Sequence, residues 1–273
     1  AEGRRPVVAI AGNHDSPDRV EAPVVLAREH GIHLVGYPRR GSFDRRGTGY
    51  AASSPAPGML EIRFDRDPGA PVRIVTTPYA NEYRLMEALV ADDAGGSGSA
   101  VDEIPREERL AAVLADEWHR LAETYMEGEG INILVTHLFF AADPTAPPEE
   151  PESERPVGHV GGAPPMSPSI VPDRFQYVAC GHLHRPHTLG HRVPLRYAGS
   201  PLAYSFSEAE QEKSVTIVEV EPRGRLGDTP EIGTVSLSAG RDVVRLGASS
   251  VEEALHLLEE HREAYVELTL ALA

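Results

Sequence analysis

The sequence predicts an α/β fold, and three observations carry that prediction. Short apolar runs suited to buried strands stop abruptly at Gly, Asn or His, as at residues 6–10, 131–135 and 177–180. The first is followed by a polar loop, a helical segment and a second apolar run at 32–36, the usual α/β alternation. Residues 59–64 and 72–76 read as two strands joined across Asp67-Pro68-Gly69, so part of the sheet is expected to be antiparallel. In such folds the chemistry sits on loops that follow strand C-termini.

The elements follow in order. The opening strand runs into Ala11-Gly12-Asn13-His14-Asp15-Ser16-Pro17, where Ser16 before Pro17 has the form of an N-cap and first helical position. Pro23 interrupts any long helix, so a short turn and then a helix over 22–30, closed by Gly31, is expected. Residues 37–58, rich in Gly, Arg, Ser and Pro, read as loops, and 92–99 as a flexible surface insertion. Pro105 opens an amphipathic helix with Leu110, Val113, Leu114, Leu121 and Tyr125 at core spacing. Trp118 lies on that stripe, so it is expected to pack against the sheet rather than stack on a base.

Residues 143–172 are rich in Pro and Glu and suggest an active-site loop or a surface excursion. Residues 214–220 read as a strand completing the sheet, and 222–230 as a linker. A strand at 232–237 follows, then a helix opened by the capping-box pattern Ser250-x-x-Glu253, and a last strand at 265–272. Val251, Ala254, Leu255, Leu258 and Tyr265 are spaced to face one side. His256 and His261 fall outside any ligand pattern and read as solvated.

Composition narrows the function classes. The 273 residues suffice for one large or two ordinary domains, and 41% hydrophobic with 25% charged residues is an ordinary globular balance. No apolar run approaches the ~20 residues that span a bilayer, and no signal segment opens the chain, so no membrane partner is expected. Cys180 is the only cysteine, which rules out an intramolecular disulfide and makes the cytoplasm the default compartment. With 26 Lys and Arg against 42 Asp and Glu, the net charge of −16 argues against a sequence-independent basic clamp on nucleic acid. A nucleic-acid enzyme is still open, because bound divalent cations make a site locally positive on an acidic protein. The chain begins with Ala and enters a strand almost at once, so it is expected to be a fragment.

Strand ends supply the candidate chemistry. Gly181-His182-Leu183-His184 follows the run at 177–180, and a continued strand would point both imidazoles to one side. A lone His-x-His is explained as well by a solvated loop. Here the run at 131–136 also delivers a histidine, His137, and the opening strand delivers Asn13 and His14. Three strands carrying imidazole or amide donors in the same topological position point to a divalent-metal site.

Gly12-Asn13-His14-Asp15, the strand ending in His137 and Gly181-His182-Leu183-His184 resemble the last three motifs of the calcineurin-like metallophosphoesterases. Ser153-Glu154-Arg155 with Gly161-Gly162, the extension through Arg185-Pro186, and Tyr197-Ala198-Gly199-Ser200-Pro201 narrow the resemblance to the SbcD family of nuclease subunits. Thr77-Pro78-Tyr79 and Thr136-His137-Leu138-Phe139 match as well. The resemblance implies a metallophosphoesterase β-sandwich flanked by helices over residues 1–228, and a partial, small α+β capping domain over 229–273. It implies two divalent ions, with Mn2+ as the expected metal, and it implies that Asn13, His137 and His182 ligate one ion while His184 ligates the other. His14 is implied as the catalytic residue, held beside the scissile phosphate to orient it or protonate the leaving group. Asp15 reads equally as a support of His14 and its loop by hydrogen bonding, or as a turn or cap residue.

Further implications are Mn2+-dependent 3′→5′ exonuclease and endonuclease action on double-stranded DNA ends and hairpins, in DNA repair, recombination and replication. The implied partners are an SbcC-type ABC ATPase, DNA and a second copy of the chain, pairing through helices near Asn13 and His14. Two departures stand out. The family's D-x-H and G-D-x-x-D motifs do not occur before Gly12, so the sequence is expected to lack an N-terminal part and to be inactive alone; it also stops before the family's SbcC-docking segment. His187 replaces the family's usual Gln, with little effect expected on metal binding. Two alternatives stay open: a phosphoesterase acting on a small phosphate ester, and a catalytically incomplete binding paralogue. Arg39, Arg40, Arg45, Arg46, Arg155 and Arg185 are candidate phosphate contacts, though any one of them reads more readily as a solvated surface side chain.

Overall fold

A computed structural model describes residues 5–39, 44–80, 106–144, 165–190, 192–222 and 229–271. The chain opens with strand β1 (Val7–Ile10), helices α1 (Pro17–Glu21) and α2 (Val24–Glu29), and strand β2 (Ile32–Val35). β1 and β2 pair in parallel, from Val7 opposite Ile32 to Ile10 opposite Val35. Ser16 takes the extended conformation of an N-cap before Pro17 but makes no side-chain capping bond.

The centre of the molecule is an eight-stranded mixed sheet. Its strands are β3 (Arg45–Gly47), β4 (Tyr50–Ala56), β5 (Met59–Phe64), β6 (Asp67–Thr77), β7 (Ile131–Thr136), β8 (Tyr177–Cys180), β9 (His187–Leu189) and β10 (Leu195–Tyr197). Their spatial order is β3-β4-β5-β6-β7-β8-β10-β9. β3 to β6 form an antiparallel meander, whereas β6, β7, β8 and β10 run parallel. The loop reading of 37–58 is corrected here by β3 and β4. The sequence of β4, Tyr-Ala-Ala-Ser-Ser-Pro-Ala, has little intrinsic strand preference, and pairing on both sides overrides it. Tyr50 and Ala52 are buried with Val35, Leu60 and Ile62 in a core of their own. The tight turn falls at residues 65–66, one step before the Asp67-Pro68-Gly69 expected from sequence, because β6 already begins at Asp67.

Helix α3 (Arg106–Tyr125) covers one face of the sheet. Its stripe of Leu110, Leu114, Trp118 and Leu121 joins Met59, Val75, Leu134, Val178, Leu195 and Tyr197 in the main core. Trp118 is 1% exposed, as expected of a packed residue, and its indole N–H donates to Thr77 Oγ1 at 3.0 Å. Burying a large apolar side chain of this kind stabilises by about 1.5–3 kcal/mol.

Strand β11 (Ser214–Glu219) does not complete the central sheet. It pairs antiparallel with β12 (Glu231–Ser236) in a separate two-stranded sheet. The β-α-β tail consequently uses β13 (Val243–Ala248), a strand not expected from sequence, with α4 (Val251–Glu260) and β14 (Tyr265–Leu270). Ser250 caps α4 by accepting from the Glu253 N–H at 3.1 Å, and the Glu253 carboxylate accepts from the Ser249 N–H at 2.8 Å. Of the apolar residues expected to face the core, only Ala254 is buried; Val251, Leu255, Leu258 and Tyr265 stay exposed. Among the described residues no helix is long and apolar enough to cross a membrane.

Candidate metal and catalytic site

Strand register brings the motifs to one edge. Thr77 at the end of β6 is opposite Thr136 at the end of β7; Thr136 is opposite Cys180 of β8, and Cys180 is opposite Tyr197 of β10. Four parallel strands therefore stop in one row, and the residues after them emerge together. The ladder continues one step past the strands: His137 N–H donates to Thr77 O at 3.2 Å and Gly181 N–H to Thr136 O at 2.9 Å. The end of β1 is tied in as well, since Ala11 N–H donates to Val35 O and Tyr79 N–H to Ala11 O, both at 2.9 Å.

Asn13, His137 and His182 come together at this edge. His137 Nε2 and Asn13 Oδ1 are 3.0 Å apart, and the His137 and His182 rings are 5.4 Å apart, nearly edge to face. Gly12 and Gly181 make the approach possible. A Cβ at Gly12 would sit 2.8 Å from His137 Cε1, and one at Gly181 would sit 2.7 Å from His137 Nδ1. Tyr79 lies against both imidazoles, with its ring 6.3 Å from His137 and 6.4 Å from His182.

The two histidines do not follow a continued strand. β8 ends at Cys180, and His182 has φ of 104°, a conformation costly for a residue with a side chain and tolerated mainly at functional sites. Burial, reinforced by the neighbouring imidazoles, lowers the pKa of both His137 and His182 to about 4, so both are neutral at pH 7. Neutral imidazoles keep a lone pair for an electrophile. His182 Nδ1 is buried with no hydrogen-bond partner among the described residues, an orphan that a ligand would satisfy.

These donors fit the nitrogen and amide part of a divalent-metal site. They do not form a complete one: among the described residues no three His, Cys, Asp or Glu side chains converge to hold an ion. The converging set instead includes the amide of Asn13.

His14 is exposed beside Asn13, close enough to His137 and His182 to disfavour their protonated forms. Asp15 Oδ2 accepts from the Gly12 N–H at 2.7 Å, closing the loop that presents Asn13. His184 stands apart from the other imidazoles in its bonding. Its Nδ1 is 2.9 Å from Glu208 Oε1, and its ring is 5.7 Å from that of Tyr204. Burial works to raise the Glu208 carboxyl pKa, but hydrogen bonds from Lys213, His184 and Ser200 outweigh it and hold the group below its usual range.

Glu208 was not singled out by sequence reasoning. It lies in a polar, acidic stretch, and nothing in its spacing marks its contact with a residue 24 positions away. Tyr197 is a second residue whose role only the structure shows. Its hydroxyl donates to Leu138 O and accepts from the Phe140 N–H, each at 2.7 Å, fastening the turn after His137. His187 stacks on the Tyr197 ring at 4.8 Å, away from the metal-ligand candidates in its bonding.

The candidate phosphate contacts are dispersed. Arg39 is 3.6 Å from Glu117 on α3, Arg45 and Arg46 are on β3, and Arg185 is exposed after His184. Arg40, Ser153-Glu154-Arg155 and Gly161-Gly162 lie outside the described residues.

No protein-family model matches the chain. Similarity to known proteins covers it nonetheless. The SbcD subunit of the SbcCD nuclease of Bacillus subtilis (strain 168) is 33% identical over 99% of this chain and 61% of its own length. The SbcD subunit of Rhodobacter capsulatus is 29% identical over 81% of this chain and 49% of its own length. That of Staphylococcus epidermidis is 33% identical over 38% of this chain. The chain thus spans at most 61% of the length of these relatives.

Proposed function

Since the chain belongs to the SbcD family of nuclease subunits, we propose that it contributes most of the catalytic domain of a metal-dependent DNA nuclease with a calcineurin-like metallophosphoesterase fold. The observation that carries this reading is the convergence of Asn13, His137 and His182 at the ends of β1, β7 and β8, with His184 two residues beyond His182. In this reading Asn13, His137 and His182 hold one divalent ion and His184 contributes to a second, with Mn2+ the expected metal and further donors supplied from outside this set. Bound ions would supply a nucleophilic water at neutral pH and neutralise charge on the phosphoryl oxygens.

The chain's own residues do the rest. Neutral His137 and His182 offer lone pairs without first losing a proton at pH 7. Gly12 and Gly181 let the backbone close on His137, so its ring cannot swing away. Exposed His14 meets the phosphodiester, and its proton passes to the leaving oxygen as the P–O bond breaks. Asp15 keeps the Asn13-His14 loop shut through Gly12.

The proposed substrate is double-stranded DNA at ends and hairpins, cut by 3′→5′ exonuclease and by endonuclease action in repair and recombination. An SbcC-type ATPase is the proposed partner, and a second copy of the chain the proposed neighbour at α1 and α2. Val25 and Leu26 on α2 are 68% and 66% exposed, an apolar surface that supports such pairing. The test offers the intact protein hairpin DNA and a generic small phosphodiester, each with Mn2+. Cleavage of hairpin DNA is expected. Hydrolysis of the small ester alone would leave a small-ester phosphoesterase as the reading, and no hydrolysis of either, a binding paralogue.

A further inference from the structure

We propose that Glu208 is a positioning residue that holds His184 with its proton on Nδ1 and its Nε2 lone pair directed outward for an ion. The inference rests on the reading of His184 as a metal ligand and adds to it a residue that acts through His184.

The geometry is that of a carboxylate whose two oxygens have separate sets of partners. Glu208 ends the short 3-10 turn Phe206–Glu208, and its side chain is fully buried. Oε2 accepts from Lys213 Nζ at 2.5 Å and from Ser200 Oγ at 2.8 Å. Lys213 Nζ donates also to Ser200 Oγ at 2.7 Å and Gln211 Oε1 at 3.0 Å, with the His184 carbonyl oxygen a longer contact at 3.5 Å. Oε1 faces His184 Nδ1 at 2.9 Å and also accepts a longer bond from Ser205 Oγ at 3.4 Å. An ionised carboxylate can only accept, so the proton of a neutral His184 sits on Nδ1 and Nε2 is left with its lone pair. Backbone bonding fixes the same pair of loops, since Ser200 N–H donates to His184 O at 3.0 Å.

A purely structural role explains this arrangement less well. A buried Lys–Glu pair contributes little net stability compared with apolar residues of similar volume. Lys213, Ser200 and Oε2 would satisfy one another without His184. The shorter contact of Oε1, to Nδ1, is the one that orients a metal-binding imidazole where such a carboxylate is found.

Glu208→Gln makes the proposal specific. Lys213 Nζ lies 2.5 Å from Oε2 and an NH2 group cannot face an ammonium at that distance, so the amide oxygen turns to Lys213 and the NH2 group to His184. Nδ1 must then accept, and the proton moves to Nε2. Removing the ammonium as well, in Glu208→Gln with Lys213→Met, frees the amide oxygen to face His184 again.

The experiment uses the intact protein labelled with 15N-histidine, with His184 identified by its loss in His184→Ala. Long-range 1H–15N spectra read the tautomer in metal-free protein, electron paramagnetic resonance reads Mn2+ binding, and thermal melting reports folding. Expected are an Nδ1–H tautomer in the wild type, Nε2–H in Glu208→Gln, and restored Nδ1–H in the double variant. One Mn2+ in Glu208→Gln should bind about 10–100-fold more weakly while the other is unchanged.

An Nε2–H tautomer in the wild type overturns the proposal without reference to any variant. An unchanged tautomer in a folded Glu208→Gln overturns it too, leaving the metal reading untouched. Wild-type Mn2+ stoichiometry in His184→Ala overturns it by a different route, because the ligand that Glu208 is said to position would not be one.

Discussion

Tyr197→Phe tests whether the turn after His137 is held by a single hydroxyl. The phenol donates to Leu138 O and accepts from the Phe140 N–H, at 2.7 Å in both cases, and all three residues are 1% exposed or less. Phenylalanine keeps the ring, its place in the core and the stack with His187, and removes only the oxygen. That leaves a buried N–H and a buried carbonyl without this partner, at about 1–3 kcal/mol for each group left unsatisfied. Partial relaxation of the turn offsets some of the cost, so a loss of about 2–4 kcal/mol is expected. Urea unfolding with unchanged m value and a lowered midpoint is the assay. Because Leu138 follows His137 directly, Mn2+ binding in the same variant should weaken as well. A stability change under about 0.5 kcal/mol, within the range of an ordinary surface substitution, would refute the reasoning.

Three further outcomes are expected. His14→Ala should abolish DNA cleavage while leaving Mn2+ binding at its wild-type level, measured by metal titration; loss of bound metal would move His14 into the ligand set. His182→Ala should weaken metal binding itself, and unchanged metal content would refute its assignment as a ligand. His33, buried on β2 with Arg28 and Arg45 nearby, has its pKa lowered to about 4 from 6.5, so the unfolded chain binds the extra proton between those values. Stability of the metal-free protein should therefore be full above pH 6.5 and fall as pH drops toward 4; His33→Leu should flatten that slope by up to about 1.4 kcal/mol per pH unit, and an unchanged slope would exclude His33 as a source.

Much of the placement of the candidate site residues was legible because its signals are local. An apolar run that stops at Gly12-Asn13-His14, at His137 or at Gly181-His182 announces a strand end wherever it occurs; parallel pairing aligns the ends of β7 and β8, and the Tyr79 N–H to Ala11 O bond ties in the end of β1. Trp118 was legible for a similar reason, since helical spacing alone puts it on the buried stripe. What stayed hidden depends on partners distant in sequence. β4 is a strand because β3 and β5 flank it, not because Tyr-Ala-Ala-Ser-Ser-Pro-Ala favours one. β11 has the alternation of a strand, but alternation does not say which strand it joins, and it joins β12. Glu208 is the clearest case: one acidic residue in an acidic stretch becomes the bonding partner of His184 only when the loop after β10 folds back.

The two halves of the site are built by different means, and this makes them separable. His137 and His182 are held by close packing: glycines that leave no room, aromatic rings on their flanks and a strained backbone at residue 182. His184 is held by a charged, hydrogen-bonded network of Glu208, Lys213 and Ser200. Packing is lost through volume changes, whereas a hydrogen-bond network is lost through changes of donor and acceptor at constant volume. An alanine at Gly12 should therefore disturb the ion proposed for Asn13, His137 and His182 and spare the one proposed for His184, while Glu208→Gln should do the reverse. A single variant of either kind that removed both ions equally would mean that the site assembles as one unit, with the ions, rather than the protein, holding its halves together.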